Sequence, residues 1–171
     1  MKKFLFLFLI LVLTKEAKAL IEVDITRGNL NPLPIAVSPL SIDDSSKKSF
    51  EKILKKKNIG SEISLIVEKN LKTSGLFNPL NKDAFLQASD IAHLKPRFED
   101  WNLIKAQALI TGKVNYVDEK LRVEFRLWDV LAGKEMMALA FTTVPNNWRR
   151  VGHIITDKVY ERLTGEKGYF D

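Results

Sequence analysis

The chain has 171 residues, 27 Lys and Arg against 21 Asp and Glu, a formal charge of +6, and no Cys. That length fits one domain with a core of its own. The lack of Cys excludes disulfides, thiol catalysis and Cys-ligated metal, so apolar packing must hold the fold.

Residues 1–19 read as a secretory signal peptide. Lys2 and Lys3 form a positive start, and Phe4 to Leu13 is an unbroken apolar run. That run falls short of the roughly 20 residues needed to span a bilayer. Ala17-Lys18-Ala19 supplies the small-x-small pattern of a cleavage site, so export to the periplasm with cleavage after Ala19 is expected. Without a later Cys there is no lipoprotein attachment site, and no second apolar span follows. Removing 1–19 takes away four Lys and one Glu, so the charge falls from +6 to +3. That remainder is too small to argue for nucleic acid.

Ile21 to Thr26 alternates apolar and polar residues, the pattern of a half-buried strand. Gly28, Asn29, Asn31, Pro32 and Pro34 make the next stretch a connector. A strand set apart in this way can add to the open edge of a partner's sheet, with Ile21, Val23 and Ile25 entering pockets. It can equally form an edge of its own sheet. Ile35-Ala36-Val37 reads as a short buried strand ended by Pro39. Asp43 to Lys57 carries six Lys around Phe50, Ile53 and Leu54, which suggests a solvated loop or short helix, or a patch for an anionic partner. The Asp43-Asp44 pair suits a cap or turn.

The spacing of Ile59, Ile63, Ile66, Val67 and Leu71 predicts a helix over 59–74, begun at Asn58 and closed by Gly75. Phe77 to Leu80 reads as extended, and 81–100 as mixed and loop-rich. A helical turn is expected around Trp101, with its ring in the core. Leu109–Val117, Leu121–Leu127 and Met136–Val144 read as three strands joined by tight turns, hence an antiparallel meander. Asn146 or Asn147 begins a last helix that runs to about Leu163 and stops at Gly165. Trp148, Val151, Ile155 and Val159 form its core stripe, while His153, Asp157 and Tyr160 fall on another side. The expected architecture is α/β (α+β): a two-layer sandwich with a mixed, mostly antiparallel sheet covered on one face by two amphipathic helices.

Catalysis finds little to work with. The two His residues are His93 and His153, and none of HExxH, GxSxG, GxxxxGKS or GxGxxG occurs. His153 with Asp157 has metal-compatible spacing, but a surface hydrogen bond explains the pair more simply. The chain reads as an interaction domain with no cofactor and no metal.

Several stretches, taken in order, resemble the amino-terminal domain of the TolB family of the Tol–Pal cell-envelope system. They are Pro34-Ile35-Ala36-Val37, Lys72 to Leu80, Trp101 ahead of Ala108 to Val114, and Trp148-Arg149-Arg150-Val151-Gly152-His153. The last continues through Asp157, Tyr160 and Glu161 to Leu163–Phe170. The resemblance implies a periplasmic adaptor that supports outer-membrane integrity and constriction at division. It implies contact with a TolA-like, inner-membrane-anchored protein through Leu20, Ile21, Glu22, Val23, Asp24, Ile25 and Thr26. Family members continue into a β-propeller that contacts a Pal-like lipoprotein, so that partner is expected only where a propeller follows. The implied division is 1–19 signal, 20–33 partner-binding strand and linker, 34–165 α/β domain, and 166–171 a linker stub. His153, Asp157 and Tyr160 would then face the propeller or its linker. The alternative is a stand-alone periplasmic module regulating a peptidoglycan-synthesising enzyme.

Overall fold

In the computed structural model, residues 21–23 and 31–171 are described. Six strands form one sheet: β1 (Leu33–Val37), β2 (Ser41–Ile42), β3 (Phe77–Pro79), β4 (Ala108–Val117), β5 (Lys120–Asp129) and β6 (Lys134–Thr143). The order is β3-β1-β4-β5-β6, with β2 also pairing β4. β1 lies parallel to both β3 and β4, and β2 is parallel to β4. The expected meander β4-β5-β6 is antiparallel. Its first turn places Asp118 and Glu119 at φ 49° and 60°. That matches the two-residue hairpin whose twist suits the flanking strands.

Among the described residues five helices accompany the sheet: α1 (Asp44–Leu54), α2 (Ile59–Thr73), α3 (Ser89–Ala92), α4 (Phe98–Leu103) and α5 (Trp148–Thr164). Residues 44–54 are therefore helical. Asp43 caps α1, its carboxylate accepting from the Ser46 amide at 2.8 Å and from the Ser46 hydroxyl at 2.7 Å. These hydrogen bonds, led by one from the Ser45 hydroxyl, hold the Asp43 carboxyl down at about 2. Asn58 and Asn147 precede α2 and α5 but make no side-chain cap bond. Asn147 instead donates to the Thr143 hydroxyl, and a 3₁₀ turn over Pro145–Asn147 leads into α5.

The main core lies between the sheet and the pair α2–α5. Leu121, Val123, Phe125 and Leu127 of β5 face Ile59, Ile63, Val67 and Leu71 of α2 and Val151, Ile155, Val159 and Leu163 of α5, all buried. The two helices approach closely at Gly152. A Cβ there would stand 2.9 Å from the Ile66 side chain, so glycine permits the crossing.

A second apolar cluster covers part of the sheet's other face: Ala36, Trp101, Ala106, Leu109 and Val130, flanked by Leu80, Phe85, Ile104 and Trp128. Trp101 is buried as expected, but in this outer cluster. Gln87, itself buried, accepts from Trp101 Nε1 at 3.1 Å and from the Arg97 amide, and donates to the Lys95 carbonyl. Residues 81–103 are thus a cover. The cause is the parallel part of the sheet, because strands flanked on both sides bury both faces. Elsewhere the outer face stays open, with Glu124 joined to Lys113 and Arg122, and Arg126 to Glu135. β3 and β6 are the edge strands of this order, and β6 has no sheet partner beyond β5 among the described residues.

Candidate functional site

The two candidate regions meet at the end of α5. Ile21, Glu22 and Val23 do not form a strand. They keep the alternation expected of one: Ile21 is partly buried, Glu22 exposed and Val23 buried in the main core. What is missing is a sheet neighbour. The Val23 amide donates instead to the Leu163 carbonyl at 2.7 Å, one of the acceptors a helix leaves unpaired in its last turn. The Ile21 amide donates to Asp129 Oδ2 at 3.2 Å. Leu20, Asp24, Ile25 and Thr26 lie outside the described residues, as does the leader over 1–19.

Asp129 went unnoticed in the sequence. It ends β5, is 1% exposed, and accepts from the Ala132 amide at 2.8 Å through its other oxygen. One carboxylate therefore closes the β5–β6 turn and holds the N-terminal segment. An Asp at a strand end, three residues before a turn amide, was the readable half of this arrangement. Its bond to Ile21, 108 residues away, has no local signal. Beside the segment lies a shallow cleft lined by Glu22, Met137, Lys158, Glu161, Arg162 and Gly165. It joins the edge strand β6 to the last turns of α5.

On α5 the three singled-out residues separate. His153 turns toward α2, where its Nδ1 lies 2.9 Å from Asn70 Nδ2. Asp157 receives the chain after the helix: its carboxylate accepts from the Phe170 amide at 2.8 Å and the Asp171 amide at 3.1 Å. Tyr160 is not on an open face. It is 9% exposed and packs edge-on against Phe77, Tyr169 and Phe170, and burial pushes its hydroxyl up. Arg150 holds Asp171 with a forked ion pair, Nε to Oδ1 at 2.9 Å and Nη2 to Oδ2 at 3.0 Å. This pairing draws the Asp171 carboxyl below its usual range. Gly168 makes the fold-back feasible, since a Cβ there would stand 2.3 Å from Asp157 Oδ1. Residues 168–171 are thus laid back along α5.

No group of three or more His, Asp or Glu side chains placed to hold a metal occurs among the described residues. None of their helices is long and apolar enough to cross a membrane. Asp157 is fully engaged with backbone amides, and His93 faces the Ser41 hydroxyl at 3.4 Å. What the site does show is polypeptide held by the body at two places, residues 21–23 by Asp129 and Leu163 and residues 170–171 by Asp157.

Comparison with known proteins agrees with this architecture. The model of the TolB amino-terminal domain matches residues 21–136. A curated relative, the Tol-Pal system protein TolB of Pelagibacter ubique, is 83% identical over 156 residues, which cover 91% of this chain and 35% of the relative. The chain thus spans about a third of that relative's length. Among solved structures, TolB from Acinetobacter baumannii superposes with a TM-score of 0.63 at 22% identity, over 81% of this chain and 30% of that one. That likeness shows the shared fold. On the family match, carried by most of the chain, the protein belongs to the TolB amino-terminal domain family.

Proposed function

We propose that this domain is a periplasmic, non-catalytic adaptor of the Tol–Pal system, exported by residues 1–19. Residues 20–26 are its contact with a TolA-like, inner-membrane-anchored partner, and through that contact it supports outer-membrane integrity and constriction during division. The observation that carries the reading is the way residues 21–23 are held. They lie outside the sheet, and two backbone amides, the buried Val23 and the partly buried Ile21 attach them to the body. A segment so attached can leave without dismantling a ladder, and its alternating side chains then suit addition to a partner's sheet edge. Family membership and the relative named as a Tol-Pal system protein support the choice of system.

Docked, Val23 occupies the body's own core; bound, it would occupy the partner's pocket. Partner binding therefore competes with docking, and measured affinity is reduced by the fraction docked. The chain lacking residues 20–27 should lose capture by the periplasmic part of a TolA-like partner while unfolding as one cooperative unit. Undiminished capture would remove the N-terminal segment from the mechanism. A Pal-like contact belongs to this proposal only where a propeller follows Asp171. In that case the clasp of 168–171 along α5 sets the direction in which the chain leaves the domain.

A further inference from the structure

The six lysines of the 47–57 run are not equivalent. Lys47 pairs with Asp44, Lys57 with Glu51, and Lys56 with Glu62. Lys56 also lies over the Trp148 ring, 5.2 Å from its centre. Lys48, Lys52 and Lys55 are exposed, and no carboxylate among the described residues pairs with them. Lys48 and Lys52, at i and i+4, share one face of α1, and Lys55 continues the row at the left-handed C-cap.

The orientation of the row follows from how α1 is seated. Phe50 is fully buried and meets Tyr116 edge-on at 5.5 Å, and the Ser46 hydroxyl accepts from the Tyr116 amide at 2.8 Å. At about 100° per residue, Lys48 and Lys52 each stand about 160° from Phe50 and so point directly away from the body. The row spans roughly 10 Å, comparable to the screening length at physiological salt, so its charges act together. The paired acids Asp44 and Glu51 lie to one side, Ser45 and Ser49 to the other, and Ile53, 45% exposed, at the margin.

We propose that this row adsorbs the domain, without insertion, onto an anionic phospholipid surface. Charge complementarity selects an anionic partner, and side-chain chemistry then selects the bilayer. The row is exposed and carries no aromatic or Arg anchor, and lysine is depleted from protein–protein interfaces, where such anchors fill pockets. Hydrated ammonium groups on flexible stems need no fixed partner geometry, which suits mobile lipid headgroups. The adaptor would then be held near a membrane while its N-terminal segment seeks a partner.

The test is co-sedimentation of the chain from Leu20 onward, which keeps every described residue. One set of vesicles contains equal parts phosphatidylglycerol and phosphatidylethanolamine; the other contains only phosphatidylcholine. The expected result is binding to the anionic set that high salt abolishes. The triple variant Lys48→Gln, Lys52→Gln, Lys55→Gln should bind roughly a hundredfold more weakly, about fivefold per lysine. A control with the same loss of charge, Lys69→Gln, Lys105→Gln, Lys134→Gln, should retain most of the binding. Equal losses in the two variants would reduce the effect to net charge and overturn the proposal. So would wild-type chain that ignores anionic vesicles. Capture by poly-glutamate without capture by vesicles would assign the row to an acidic polypeptide, which also overturns it.

Discussion

Replacing Asp129 by Asn should release the N-terminal segment without touching any residue the partner would contact. In the folded chain one Asp129 oxygen accepts from Ala132 and the other from Ile21. The Asn amide can keep an oxygen toward Ala132, but it then presents N–H groups to the Ile21 amide. The lost charge-assisted bond amounts to about 2 kcal/mol. The rest of the docking is finely balanced. Burying the Val23 side chain gives about 2 kcal/mol and its hydrogen bond to Leu163 about 1 kcal/mol. Ordering three residues of backbone costs about 3–6 kcal/mol. A loss of about 2 kcal/mol should therefore shift the docked-to-released ratio by roughly thirtyfold. Amide hydrogen exchange at Val23 reads this directly and should accelerate by up to about fifteenfold, the value reached where the intact chain favours the docked state by about 2 kcal/mol, while β4 and β5 amides stay protected. Affinity for the TolA-like partner should rise as the competing docked state is lost. Unchanged exchange at Val23 in a folded variant would refute the reasoning.

Four further outcomes are expected. Gly168→Ala drives a methyl into Asp157 and should detach residues 168–171, costing about 1–3 kcal/mol and opening the tail to limited proteolysis. Asp43→Ala should cost about 1 kcal/mol through loss of the α1 cap, read from denaturant midpoints. Because the folded-state carboxyl is depressed to about 2, its contribution is complete above about pH 4 and vanishes as pH falls toward 2, so the variant's stability should lack that acid-side decline. Trp101→Ala should cost about 3–5 kcal/mol in thermal unfolding, since it empties the outer cluster and leaves Gln87 short of a partner. Glu119→Gly should stabilise by about 0.5–1 kcal/mol, because glycine adopts the left-handed turn at φ 60° without strain.

Periodicity made most of the architecture readable. The period-2 pattern of Leu121–Leu127 and the helical stripes of α2 and α5 each have one buried face, and each appears where its pattern put it. Ile35-Ala36-Val37 was readable as a strand, but three apolar residues do not reveal that both their faces need cover. The outer cluster of 81–103 follows from sheet order, which no local pattern encodes. α1 was ambiguous because Phe50 alone is a deep apolar anchor; cap chemistry at Asp43, not hydrophobicity, marks its start. What covers Tyr160 is hidden for a related reason: its side of α5 packs against residues 169 and 170, and a helical projection cannot know that the chain returns. At the N-terminus the side chains of 21–23 keep the alternation of a strand without forming one, and their acceptors, Leu163 and Asp129, could come only from the folded structure.

The account turns on whether the N-terminal segment is sufficient as well as necessary for partner capture. Titration calorimetry of a synthetic peptide of residues 20–27 into the periplasmic domain of a TolA-like protein addresses this most directly. Saturable binding, at least as tight as that of the intact chain because the peptide has no docking site of its own to leave, is the predicted result. A peptide that fails to bind a partner the intact chain still captures would contradict the account and move the contact onto the folded body.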